Sequence, residues 1–141
     1  MIYTTYFGKT AALKKLHPNA MLVSIAGGIP DWFMKTGGLQ YKKLAPKRYW
    51  WKEWHSKFTE CLDSEESKKW YIEKYNDTIL SKLNPHEVKS DLYNLANKRD
   101  VFILCYETPE KFCHRHIVAD WLNENGIHCE EWKDRKSISS K

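Results

Sequence analysis

Three adjacent side chains near the end of the chain could take part in chemistry: Cys113, His114 and Arg115. They follow an apolar run, Val101–Cys105, after a short polar loop, and they precede an amphipathic segment that begins at Ile117. A thiol at a helix start beside arginine and histidine is expected to have a lowered pKa and more nucleophilic thiolate. An arginine fork and the free N–H groups of a helix start both bind phosphate or carboxylate. The segment therefore predicts an anion site or a reactive-group site.

Packing is the alternative role for the same residues. Cys113 lies four residues before Ile117, and His114 lies four before Val118, so both could belong to the buried face of a helix. Cysteine is among the most often buried residue types, and spacing alone favours packing for Cys113. Arg115 does not fit this alternative, because arginine is rarely buried without a partner.

The elements around these residues follow from apolar runs and helix signals. The run Val101–Cys105 is too short for a typical helix and has no polar alternation, which indicates a strand buried on both faces. Thr108 followed by Pro109 is typical of a helix start, and Gly126 is expected to end that helix. Ligands of open α/β sheets bind beyond the carboxyl ends of strands, so we expect the site there.

Four predicted strands alternate with helices along the chain. They cover residues 2–7, 21–26, 101–106 and 127–132. We expect a Rossmann-like three-layer α/β domain with mostly parallel strands in the order 2-1-3-4 and helices on both faces. The domain would span residues 1–132, followed by a basic, flexible tail at 133–141.

This strand order gathers candidate site residues at one edge of the sheet. Glu107 or His114 would act as acid or base, and Cys113 as a nucleophile. The candidate ligand-binding residues supply open backbone, an aromatic ring and positive charge: Tyr6, Gly27, Gly28, Lys42, Lys43 and Arg115. Covalent phosphoryl transfer is not expected, because the cysteine precedes its arginine by two residues rather than by the six of the phosphatase loop.

Several motifs together resemble the domain-of-unknown-function family 488, a group of small bacterial and phage proteins. They are L-C-x-E from Leu104, C-H-R from Cys113, and the blocks IYTTYFG, LVSIAGGIPDWF and GLQYKKLAP. Typical members carry an acidic residue and an arginine in the second strand, where this chain has Ser24 and Ala26. The activity of the family is not established, so the resemblance implies a fold and a site but not a reaction.

Two features predict the compartment and the metal content of the protein. They are its four cysteines and the lack of an apolar run long enough to span a membrane. The 141 residues show no signal peptide, and we expect four reduced thiols in a cytoplasmic protein without membrane attachment. Zinc is the competing interpretation, with possible ligands at Cys105, Cys113, His114 and His116. No C-x-x-C pair occurs, however, and we expect no metal and no cofactor.

The positive charge is concentrated in residues 41–58. This segment holds six Lys or Arg and one Glu, which leaves 17 basic and 17 acidic residues elsewhere. Interleaved aromatic and basic residues suit contact with nucleic acid. The aromatic residues Trp50, Trp51, Trp54 and Phe58 are nevertheless spaced as a helical stripe, which favours a place in the core. We therefore expect only weak nucleic-acid binding.

Two classes of function remain open from the sequence. The first is an enzyme that acts on a nucleotide or a nucleic-acid component through the residues around Cys113. The alternative is a non-catalytic module that binds a nucleotide-derived ligand, a nucleic acid or a protein partner, the last through exposed aromatic residues. The loss of charged residues at Ser24 and Ala26 favours the alternative somewhat.

Overall fold

Strands and helices alternate along the chain in the computed structural model, which describes residues 1–107 and 111–133. The strands are β1 (Ile2–Tyr6), β2 (Met21–Ser24), β3 (Leu39–Gln40), β4 (Val101–Cys105) and β5 (Cys129–Glu131). The helices are α1 (Thr10–Leu16), α2 (Asp31–Lys35), α3 (Arg48–Lys57), α4 (Glu65–Thr78), α5 (Pro85–Leu95) and α6 (His114–Glu124). The predicted α/β class is confirmed.

The sheet is parallel throughout, with strand order β3-β2-β4-β1-β5. The third and fourth predicted strands correspond to β4 and β5. The predicted order 2-1-3-4 was wrong, because β4 lies between β1 and β2 rather than beyond β1. All five residues of β4 are buried, so the most apolar strand occupies the position that is covered on both faces and both edges. The sequence did not predict β3, because this strand has only two residues and no apolar run.

Helices cover both faces of the sheet and form two separate cores. The larger core joins the sheet to α3, α4, α5 and α6 through residues such as Trp50, Tyr75, Leu92 and Leu122. The smaller core lies on the opposite face, where Leu13 of α1 and Phe33 of α2 pack near Phe102 and Leu104 of β4. This arrangement confirms the predicted three-layer architecture.

Side chains cap the starts of α4 and α5. Asn84 is the N-cap of α5, directly before Pro85, and its side chain accepts hydrogen bonds from the next turn. For α4 the Ser64 hydroxyl accepts from the Ser67 N–H. In α4 Tyr71 and Tyr75 are buried, whereas Ile72 is exposed.

The tryptophan-rich helix α3 is amphipathic, and its aromatic stripe faces the core with one exception. Trp50 and Trp54 are buried, as is Phe58 directly after the helix, whereas Trp51 is 42% exposed. The two buried indole N–H groups donate to Thr78 at 2.9 Å and to Ser67 at 2.8 Å. The core role predicted for this stripe is confirmed for three of its four members.

The last helix, α6, ends just before a glycine. Gly126 closes α6 with a φ of +76°, and the Ile127 N–H donates back to the Leu122 carbonyl at 2.9 Å, as predicted for a glycine at this place. The predicted tail covers residues 133–141, and all of it except residue 133 lies outside the described residues. Across the described part of the chain, every helix is too short or too polar to cross a bilayer.

Candidate functional site

The start of α6 lies at the end of the central strand. The helix begins at His114 with Cys113 as its N-cap, and Cys113 is bonded to Cys105, the last residue of β4. The predicted position of the Cys-His-Arg triplet, within one turn of a helix start and beside a strand end, is confirmed. Thr108 and Pro109, predicted to mark the helix start, lie outside the described residues.

Two of the four cysteines form a disulfide, which differs from the expected four thiols. Cys105 and Cys113 are joined, whereas Cys61 and Cys129 are free. Their spacing in the sequence gave no sign of the bond, because the two sulfurs meet only when the start of α6 lies beside the end of β4. The free Cys129 is buried, and this burial, together with Glu131 and Glu130, raises the pKa of its thiol to about 12.

His114 is buried between Cys113 and the loop after β2. Its Nε2 lies 2.8 Å from the Ile25 carbonyl oxygen, which can only accept, so Nε2 carries the hydrogen. Nδ1 is then unprotonated, and it lies 3.9 Å from Cys113 Sγ. Burial lowers the pKa of His114 to about 4, helped by Arg115 and His116 and opposed by the Ile25 hydrogen bond. At neutral pH the ring is therefore uncharged, with an unprotonated nitrogen beside the sulfur.

Arg115 is fully buried and makes its hydrogen bonds within the protein. Its Nε and Nη2 donate to the two carboxylate oxygens of Glu131, at 3.1 and 2.9 Å. Its Nη1 donates to the Glu107 main-chain oxygen at 2.5 Å and contacts Cys105 Sγ at 3.2 Å, while the Thr4 hydroxyl donates to Glu131 at 2.7 Å. This ion pair connects α6 to β5, and it replaces the ligand-binding role predicted for Arg115.

Other predicted site residues surround the same edge of the sheet. Tyr6 ends β1, and the centre of its ring lies 5.9 Å from the Arg115 guanidinium carbon. Gly27 and Gly28 are exposed, and a Cβ atom at either position would meet no atom within 4 Å. Glu107 is exposed two residues beyond β4. Gly27, Gly28 and Glu107 are therefore accessible from solvent, whereas Tyr6 lies against Arg115.

The two lysines of the predicted ligand set lie in a short 3-10 turn near α5. Both are exposed, and Lys43 Nζ lies 3.5 Å from a carboxylate oxygen of Asp91. Lys43 also lines an open depression that contains neither Cys113 nor His114. Its other lining residues are Asn84, His86, Glu87, Ser90 and Asp91. The structure therefore does not bring Lys43 together with the cysteine and histidine.

Three parts of the site were missed from the sequence or given another role. The Ile25 carbonyl fixes the His114 tautomer, and a backbone oxygen leaves no mark in the residue types. Glu131 lies in the strand after α6 and looked like an ordinary polar strand residue. Cys105 was considered only for zinc, although the L-C-x-E motif already marked it.

Ser24, where the family usually has a charged residue, is buried and accepts a hydrogen bond from the Ala26 N–H at 3.1 Å.

Comparison with known proteins identifies the family. Residues 31–126 match the family model DUF488-N3a, which is described as the active DUF488-N3 subclade. No curated protein and no solved structure matches the chain. The matched region covers more than half of the sequence and includes the last strand-to-helix turn with Cys105, Cys113 and His114. The chain therefore belongs to the DUF488-N3a family.

Proposed function

We propose that the chain is an enzyme that acts on a small anionic, nucleotide-like compound, with Cys113 as the nucleophile and His114 as its base. The observation that carries the proposal is the unprotonated Nδ1 of His114 beside Cys113 Sγ at the start of α6. A base within reach of a thiol, itself oriented by a third group, is the usual arrangement of an activated nucleophile. Here the third group is the Ile25 carbonyl.

The chemistry requires the Cys105–Cys113 disulfide to be reduced. The positive end of the α6 dipole favours ionisation of the Cys113 thiol. His114 Nδ1 accepts the thiol proton while the sulfur attacks, since an imidazole of such low pKa holds little of that proton beforehand. The sulfur forms a bond to an electrophilic carbon of the compound, and the leaving group departs with the proton from Nδ1. Water then releases the product and restores the thiol. This dependence on reduction suits a reducing compartment such as the cytoplasm.

The anionic part of the compound would be held by backbone rather than by Arg115. Cys113 makes no side-chain hydrogen bond to the first turn of α6, so N–H groups at this helix start are available to an anion. Gly27 and Gly28 are exposed after β2, and a Cβ atom at either would meet nothing within 4 Å, so a ligand could approach their backbone. Glu107, an exposed carboxyl just beyond β4, is the candidate for a second acid or base.

The description of the family as an active subclade favours an enzyme over a non-catalytic binding module. The two are separated by a melting series of the reduced protein with a panel of nucleotides, followed by product analysis. A compound at ~100 times its Kd stabilises the protein by about 2.7 kcal/mol. We expect a stabilising compound to be converted by the wild type and by Cys61→Ser, but not by Cys113→Ser. Stabilisation without any product would support the binding module instead.

A second candidate function rests on the surface of α3. Tyr49 is 68% exposed and Trp51 is 42% exposed, and the basic residues Lys47, Arg48 and Lys52 flank them. Exposed aromatic rings among positive charges stack on bases and contact phosphates. The surface is small, since the other aromatic residues of this stripe are committed to the core.

We predict weak, salt-sensitive binding of single-stranded nucleic acid to this surface, at about 10⁻⁴–10⁻⁶ M at physiological salt. Filter binding in rising salt measures it, and Trp51→Ala should weaken it without unfolding the protein. The control is Ile72→Ala, which removes an exposed apolar side chain from α4. Submicromolar binding that survives 200 mM salt, a concentration at which phosphate contacts are strongly weakened, would show that nucleic acid is the principal partner.

A further inference from the structure

One buried cluster has the composition of a metal site. The Sγ atoms of Cys105 and Cys113 and a ring nitrogen of His114 all lie within 4.8 Å of one another, and the three residues are buried. We propose that the reduced protein binds one Zn²⁺ ion through these three side chains. This inference goes beyond the proposed function, which uses Cys113 as the nucleophile and His114 as its base, and gives Cys105 no role once the disulfide is reduced.

The donor atoms suit zinc in kind and in spacing. Zinc prefers thiolate sulfur at ~2.3 Å and imidazole nitrogen at ~2.0–2.1 Å, in a tetrahedral arrangement. Ligand atoms at these distances from one tetrahedral ion lie about 3.5–3.8 Å apart. The cluster spans 4.8 Å at most, so small side-chain movements are enough. Three protein ligands leave the fourth position for water or another small ligand.

Neighbouring groups orient and stabilise these ligands. A histidine that binds metal usually donates its other ring N–H to a carbonyl or carboxylate, and His114 Nε2 lies 2.8 Å from the Ile25 carbonyl oxygen. The remaining ligand atom, Nδ1, faces Cys113. Arg115 Nη1 contacts Cys105 Sγ at 3.2 Å, which favours the thiolate that zinc requires.

Adjacent residues of a regular helix point in different directions, which would keep Cys113 and His114 from binding the same ion. That argument fails here, since Cys113 is the N-cap and has extended backbone angles, φ −152° and ψ 146°. Only His114 belongs to the helix, so the two side chains can approach each other. Cys105 reaches them from the end of β4, which no local spacing rule describes.

Binding requires a change of redox state. A small thiol or phosphine reductant supplies two electrons, the S–S bond breaks, and Cys105 and Cys113 become thiols. Zinc then replaces the two thiol protons, which are released to solvent. The bound ion occupies the Cys113 sulfur and His114 Nδ1, so zinc should inhibit the proposed reaction.

The test is a Zn²⁺ titration of the protein reduced with a phosphine, in competition with a chromophoric chelator. We expect one ion per chain in the reduced protein and none in the oxidised protein. Zinc affinity should fall at least about 100-fold in Cys105→Ser and in Cys113→Ser, and at least about tenfold in His114→Gln. Loss of a group that only supports a metal ligand already costs about 10–100-fold in affinity, so loss of a ligand itself should cost at least as much. Cys61→Ser and Cys129→Ser are the matched controls, which should bind zinc as the wild type does.

A second probe needs no variant. Co²⁺ added to the reduced wild type should give the thiolate-to-metal absorption band of a tetrahedral site. The absence of both the band and zinc uptake would overturn the proposal, as would loss of binding in Cys61→Ser alone. Zinc uptake without any turnover would leave the metal site standing and remove the proposed function. Cys113-dependent turnover without zinc uptake would do the reverse.

Discussion

Arg115→Ala is expected to lower the free energy of unfolding by about 3–5 kcal/mol, the usual cost of removing one partner from a buried ion pair. The guanidinium is fully buried and binds both carboxylate oxygens of Glu131, whose side chain is 18% exposed. Without Arg115 this carboxylate stays largely desolvated and unpaired. Urea denaturation of the oxidised protein measures the change.

An exposed ion pair provides the matched control. Lys43 and Asp91 are separated by 3.5 Å, but their side chains are 64% and 39% exposed. Lys43→Ala should therefore cost less than about 1 kcal/mol. The double variant Arg115→Met with Glu131→Leu should recover much of the loss, since an apolar pair leaves no charge buried. If Arg115→Ala were as mild as Lys43→Ala, the internal role of Arg115 would be refuted.

Trp50→Ala is expected to cost about 3–5 kcal/mol of stability, as for other fully buried large aromatic residues. The Trp50 side chain is completely buried, its ring packs edge-on against Tyr71 with centroids 5.0 Å apart, and its N–H donates to Thr78. The substitution leaves a cavity and removes the hydrogen bond to Thr78. Thermal and urea denaturation should both show the loss.

The neighbouring tryptophan tests the specificity of this effect. Trp51 has the same side chain in the same helix, but it is 42% exposed and contacts His55. Trp51→Ala should change stability by no more than about 1 kcal/mol, because little apolar surface leaves the core. Equal losses in the two variants would mean that the two faces of α3 are wrongly assigned.

Much of the fold could be predicted from local patterns, and its strand order could not. The apolar run of β4 and the glycine that ends α6 were identified because burial and helix termination act over a few residues. Strand order depends on which strands pair across long separations, and here the fully buried β4 took the centre. The two-residue β3 and the five-residue α2 were too short to show a period.

The position of Cys113, His114 and Arg115 in the fold was predicted correctly, but the partners of these residues were not. Adjacent cysteine, histidine and arginine at a strand-to-helix turn predicted the place, because a helix start beyond a buried strand is a general feature of such folds. The contacts that decide each role come from elsewhere: Glu131 from β5 and Ile25 from the loop after β2. Arg115 was therefore taken for a ligand anchor, although it stabilises the site from inside.

The most direct measurement of the central claim is the alkylation rate of each cysteine in the reduced, metal-free protein, read by peptide mass spectrometry at neutral pH. Cys113 and Cys129 are both buried, but Cys113 lies at a helix start beside an unprotonated nitrogen, whereas burial and two glutamates raise the pKa of Cys129 to about 12. We predict that Cys113 reacts at least about tenfold faster than Cys129, since reactivity follows the thiolate fraction, and that His114→Gln removes most of this difference. Equal rates for the two cysteines, or a Cys113 rate unchanged in His114→Gln, would contradict the assignment of an activated nucleophile.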